Sequence, residues 1–71
     1  MKIEEIMSAL RDGSKATRQG WNGPNQYIAI QYPDENSANT LPYVYICPTQ
    51  GGRVPWLASQ TDLLTDDWEI V

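Results

Sequence analysis

Val54-Pro55-Trp56-Leu57-Ala58-Ser59-Gln60-Thr61-Asp62-Leu63-Leu64-Thr65-Asp66-Asp67-Trp68-Glu69 is the stretch around which the rest of the chain is organised. Ser59 and Asp62 stand three apart, directly before the apolar pair Leu63 and Leu64. This is capping-box spacing, with Asp where Glu or Gln is more usual. The Ser59 hydroxyl can accept from the Asp62 backbone N–H while the carboxylate reaches back to the N–H of Ser59. The spacing predicts a helix of about five to eight residues starting at Gln60. Its free N–H groups and positive dipole end then follow Trp56, a large flat ring. A ring beside an anion-favouring helix start suits a nucleotide, the ring for the base and the amides for phosphate. The same residues also read as plain structure, with Trp56 and Trp68 in the core and Ser59 only a cap.

Outward from this stretch the pattern is of short strands. Arg53-Val54-Pro55-Trp56 reads as a strand that Pro55 confines to a sheet edge or an irregular end. Trp68-Glu69-Ile70-Val71 is a final extended piece. Upstream, Pro48-Thr49-Gln50-Gly51-Gly52 is a turn, and Tyr43-Val44-Tyr45-Ile46-Cys47 a strand with Val44 and Ile46 on one face. The polar run from Pro33 to Pro42 is a loop at the far end of a hairpin. Its other arm is Gln26-Tyr27-Ile28-Ala29-Ile30-Gln31-Tyr32. There Ile28 and Ile30 oppose Tyr27, Ala29 and Gln31, so both faces are expected to be partly covered. Trp21-Asn22-Gly23-Pro24 is dense turn chemistry, with Asn22-Gly23 a favoured type I′ pair. Lys15 to Arg18 is a short strand. Ile3 to Arg11 reads as a helix: Ile3, Ile6, Met7 and Leu10 share a face, acidic residues sit near its start, and Gly13 stops it. The expected fold is α+β, a small antiparallel sheet packed on an N-terminal helix with a short second helix near the C-terminus. Residues 1–71 form one domain.

Seventy-one residues bury only about 60% of the unfolded surface, so a chain of this size usually needs extra support. Cys47 is alone, which excludes an internal disulfide, and the chain has no His, which argues against a structural zinc site. Self-association is the remaining support, and three Trp and four Tyr agree with it; a dimer or tetramer is expected. A net charge of −4 argues against DNA or RNA as partner, since such binding rests on many Lys and Arg contacts. No apolar run approaches the roughly 20 residues that cross a bilayer, and no signal peptide is visible. A lone Cys fits the cytosol.

Three pieces carry a resemblance: Arg18-Gln19-Gly20-Trp21-Asn22-Gly23, Leu41-Pro42-Tyr43-Val44-Tyr45, and Val54 through Trp68. In this order and spacing the chain resembles, over nearly its whole length, the small phage proteins of the second type of Thoeris anti-defence. The resemblance implies a sponge that binds and sequesters a cyclic immune signal, a glycocyclic ADP-ribose, without degrading it. Some relatives also hold cyclic di- or trinucleotides at a separate surface. It further implies a homotetramer, a dimer of dimers, with ligand pockets between subunits. The segment between Pro33 and Pro42 is compact here, whereas many relatives carry a longer insertion.

An adenine stacked on an aromatic ring gains about 1–3 kcal/mol, and Trp21 and Trp56 are the candidate platforms. Asn22 can pair bidentately with adenine; Asp62 can instead accept from its amino group, in competition with capping. The pyrophosphate calls for Arg18 as a forked donor, with N–H groups near Ser59, Gln60 and Thr61. Each residue has a plainer role. Asn22 can be a turn residue only, Arg18 can pair with Asp66 or Asp67, and Arg53 with Glu69, as exposed ion pairs worth little. Trp68 belongs to the core; Tyr43 and Tyr45 line either the pocket or a subunit interface. No cofactor or metal is expected. Two other function classes stand beside the sponge. An enzyme would draw on Asp62, Asp66, Asp67 and Glu69, but the chain has no His, no serine elbow and no phosphate loop followed by Lys, so no enzyme is expected. A module that blocks a host defence protein through its aromatic surface is the other.

Overall fold

The computed structural model describes residues 1–23, 25–38 and 40–71. Pro24, read as part of a turn, and Asn39, read as part of a loop, lie outside the described residues. The elements are α1 (Ile3–Arg11), β1 (Ala16–Arg18), β2 (Tyr27–Gln31), β3 (Tyr43–Cys47), β4 (Val54–Pro55), α2 (Gln60–Leu64) and β5 (Trp68–Ile70). The sheet runs β4-β3-β2-β1-β5 with every neighbouring pair antiparallel. This is the α+β arrangement expected.

α1 forms because Ile6 and Leu10, four apart, are both buried on one side. At its start the Glu5 carboxylate accepts from the Lys2 N–H at 3.0 Å. Its end is a Schellman turn. Gly13, at φ +96°, donates to the Leu10 carbonyl and Ser14 donates to that of Ala9.

Register sorts the strands into two faces. Ala16 lies opposite Ile28, Ile28 opposite Ile46, and Ile30 opposite Val44. These residues join Ile6, Leu10 and Trp68 in the core beneath α1. Tyr27, Ala29, Gln31, Tyr43, Tyr45 and Cys47 alternate onto the other face. Ala29 and Tyr45 are buried there although both helices lie on the first face. Neighbouring rings provide the cover: Tyr45 stands 6.4 Å from Tyr27 and 6.5 Å from Tyr43, and the Arg53 guanidinium lies 4.7 Å above it. Both faces are thus covered, one by a helix and one by side chains.

β4 is a two-residue edge strand, in keeping with Pro55, and its pairing runs on through the Trp56 N–H to the Val44 carbonyl. From that edge the chain passes through α2 to the opposite edge, where β5 pairs with β1. Residues 54–70 therefore span the sheet from one side to the other on the helix-bearing face.

The connection after β1 departs from the expected type I′ turn. That geometry requires positive φ at both central residues, and among the described residues only Gly23 (+96°) and Asn25 (+64°) of this connection have it. Asn22 does not, so the chain makes a longer loop. It opens with the Trp21 N–H donating to the Arg18 carbonyl at 3.3 Å.

Candidate functional site

Arg18 ends β1 directly opposite Trp68 in the register, which places its guanidinium on the face crossed by the C-terminal stretch. There it meets two carboxylates. Nη1 donates to Asp62 Oδ1 at 2.7 Å, Nε to Asp67 Oδ1 at 2.8 Å, and Nη2 to Asp67 Oδ2 at 3.4 Å. The Arg18 side chain is only 11% exposed. The pairing with Asp67 is one of the two foreseen, but it is a partly buried fork shared with Asp62 and not an exposed pair. Arg53 does not pair with Glu69: it donates to Gln31, and Glu69 accepts from Gln19.

Asp67 also accepts from the Gly20 N–H at 2.9 Å and the Thr65 hydroxyl at 3.0 Å. A Cβ on Gly20 would lie 2.8 Å from Asp67 Oδ2, so a larger residue there would push the carboxylate aside. The hydrogen bonds from Arg18 hold the Asp67 carboxyl at about 2, against an opposing push from burial.

Asp62 is the junction of the region. The capping box forms as its spacing predicts: Asp62 N–H donates to Ser59 Oγ at 3.0 Å, and Ser59 N–H donates to Asp62 Oδ2 at 2.9 Å. The other carboxylate oxygen, Oδ1, accepts from Arg18 and from the Trp21 indole N–H at 3.2 Å. The Asp62 carbonyl accepts from the Trp68 indole N–H at 2.9 Å. Asp62 is 7% exposed. Burial pushes its carboxyl up, but the donors from Ser59, Arg18 and Trp21 outweigh this and hold it below the usual carboxylate range.

These bonds hold two indoles, Trp21 and Trp68, and a third packs beside them. Trp68, 2% exposed, belongs to the core as expected. Trp21 stands edge-on to it at 5.2 Å and Trp56 at 5.9 Å, with interplanar angles of 79° and 90°. Trp21 and Trp56 are half-buried and line one cleft of about 320 Å³ together with Asn22, Gln26, Ile46, Leu57 and Asp62. Its volume is at the low end of the range for small-molecule sites, about 300–1,000 Å³.

Four residues singled out in the sequence, Trp21, Asn22, Trp56 and Asp62, therefore converge on this cleft. The other four stand apart. Arg18 lies outside the lining, and three of its five N–H donors are engaged by carboxylates. Gln60 and Thr61 line a separate open groove with Leu64 and Thr65, and Ser59 is occupied by the cap. The start of α2 already holds the Asp62 carboxylate, so it offers an incoming phosphate no uncompensated positive end. Tyr43 and Tyr45 do not line the cleft.

Gln26, Ile46 and Leu57 were not singled out. Gln26 donates to the backbone carbonyls of Asn22 and Gly23 and so closes the loop that carries Asn22. Its signal in the sequence was faint, a single amide ahead of a strand. Leu57, 92% exposed, had a clearer one: an apolar residue directly after Trp56, with no strand or helix to bury it.

A family model described as Tad2-like, the Thoeris anti-defense 2-like domain, matches residues 1–71. The chain is also 26% identical, over 84 aligned residues, to Thoeris anti-defense 2 of Bacillus phage SP01. That match covers 100% of this chain and 94% of the phage protein. The alignment is longer than this chain, so the relative carries insertions within the match.

Proposed function

The chain belongs to the Thoeris anti-defense 2-like family, and from that anti-defence premise we propose that it is a sponge. It binds a cyclic ADP-ribose-type immune signal, glycocyclic ADP-ribose, and withholds it from the host sensor unchanged. The observation that carries this reading is the pair of half-buried indoles, Trp21 and Trp56, flanking one cleft. A base stacked there gains about 1–3 kcal/mol. The Asn22 amide, the Gln26 amide oxygen and the Trp56 indole N–H, which no described residue accepts from, supply donors and acceptors for base and ribose edges.

One protomer's cleft is too small and too open to enclose the whole signal. Nanomolar holding needs about −12 kcal/mol, which one stacked base does not reach without enclosure. The exposed Leu57 at the rim favours a second copy as the missing wall. We therefore take the working unit to be a homo-oligomer, a dimer of dimers, whose partner copy also meets the phosphates that Arg18 does not. The protein is not an enzyme in this reading: the carboxylates nearest the cleft and Arg18, Asp62 and Asp67, are tied to donors and held ionised, so neither serves as a general acid near neutral pH.

Calorimetry with glycocyclic ADP-ribose tests the binding. Denaturing the complex and analysing the released compound tests the chemistry. Intact recovery is expected; a flat titration or an altered compound overturns the sponge. Stoichiometric capture of a host defence protein with no small-molecule binding would favour the interaction-module reading instead.

A further inference from the structure

Trp21 and Trp56 face the same cleft but are held differently. The Trp21 N–H is spent on Asp62 Oδ1 at 3.2 Å, and that oxygen is fixed in turn by Arg18 Nη1 at 2.7 Å. Its fellow oxygen is fixed by the Ser59 amide, and the Asp62 carbonyl holds the N–H of Trp68, against whose ring Trp21 packs edge-on. One buried residue thus sets both the tilt of the Trp21 ring and the ring behind it. The Trp56 N–H has no described acceptor.

We propose that Asp62 is the positioning residue of the cleft, locking the Trp21 indole as a fixed stacking platform while Trp56 keeps its N–H for the ligand. This rests on the sponge reading and deepens it. A carboxylate has about four acceptor sites. Three here are taken by Ser59, Arg18 and Trp21, so Asp62 acts through Trp21 in preference to contacting the base. An indole turning freely about its side-chain bonds would have to be ordered on binding, and the lock removes that cost beforehand.

The test compares the intact protein with Asp62→Ala, Trp21→Phe and the double variant, titrating each with glycocyclic ADP-ribose. Trp21→Phe keeps a ring and deletes the N–H; Asp62→Ala deletes both acceptor oxygens. Asp62→Ala is expected to weaken binding roughly two- to tenfold, the ordering cost that the lock otherwise removes. It should add little in the Trp21→Phe background, because both changes break the same contact. Equal affinity of Asp62→Ala and wild type, or losses that multiply fully in the double variant, would overturn the proposal.

A measurement on the wild type keeps the question open to refutation even where Asp62→Ala does not fold. By NMR, the Trp21 and Trp68 indole N–H protons should exchange with solvent more slowly than that of Trp56, and ligand should slow Trp56 alone. A Trp21 N–H that exchanges as fast as that of Trp56 in the free protein sinks the positioning role without touching the sponge. A wild type that leaves the compound unbound removes the sponge reading and this role with it.

Discussion

Replacing Arg18 by alanine leaves Asp62 and Asp67 facing each other across a partly buried site without their shared counter-charge. Breaking such a pair from one side costs about 3–5 kcal/mol when fully buried; with 11% exposure roughly 3 kcal/mol is expected. Denaturant unfolding of Arg18→Ala should show it. That is a large share of the stability of any small domain, so weaker ligand binding in this variant would report the fold and not a lost phosphate contact. Acid has a related effect. Both carboxyls have folded values below their unfolded ones, near 3.9, so their stabilisation is complete above about pH 4 and is lost as pH falls toward the value near 2 held by Asp67. Melting temperatures measured from pH 7 to pH 2 should decline along this limb in the wild type and lack that component in Arg18→Ala. At this scale Asp62 was half legible. Its three-residue spacing from Ser59 announced the cap, but its bonds to Trp21 and Arg18 join residues 41 and 44 positions apart, which no local spacing encodes. The same blindness hid Asp62 as a partner of Arg18, although Asp67 was foreseen as one.

α2 has five residues, too few to persist alone, and owes its place to the box at its start. Ser59→Ala should therefore cost about 1 kcal/mol, read as a lower denaturation midpoint with unchanged slope. The loop after β1 is more sensitive. A Cβ on Gly23 would sit 2.5 Å from the Thr49 hydroxyl oxygen, at φ +96°. Gly23→Ala should cost roughly 1–2 kcal/mol from the backbone alone, and it displaces the loop carrying Asn22. Calorimetry should show weaker ligand binding than Ser59→Ala gives. The helices and strands themselves were readable to within about a residue, because periodicity, Gly13 and Pro55 are local signals. The turn was not. Asn22-Gly23 carries the composition of a tight hairpin, but the Trp21 ring is drawn toward Trp68 and the Asp62 carboxylate, and the loop lengthens to follow it.

The order of the sheet lies beyond local signals too. β5 pairs with β1, some fifty residues earlier, because the long C-terminal stretch carries the chain from one edge to the other. What the sequence did convey at this scale is that so short a chain has little interior. Leu57 at 92% exposure and Leu64 at 82% show apolar surface left uncovered by the protomer. Light scattering at micromolar concentration should give a multiple of 8.0 kDa, with a monomer mass contradicting the proposed assembly. Saturating glycocyclic ADP-ribose should raise the melting temperature by mass action, by about 2.7 kcal/mol of stability at a hundred times Kd.

The perpendicular arrangement of three tryptophans has an optical consequence. Chromophores set 5.2 and 5.9 Å apart at near right angles couple their electronic transitions in a chiral frame, and the chain has no Phe to add its own bands. At its long-wavelength edge, beyond the tyrosine bands, the near-ultraviolet circular dichroism of an unlabelled sample then reads the mutual orientation of the rings. It would respond to a base slipping between them before any change in overall shape could be detected.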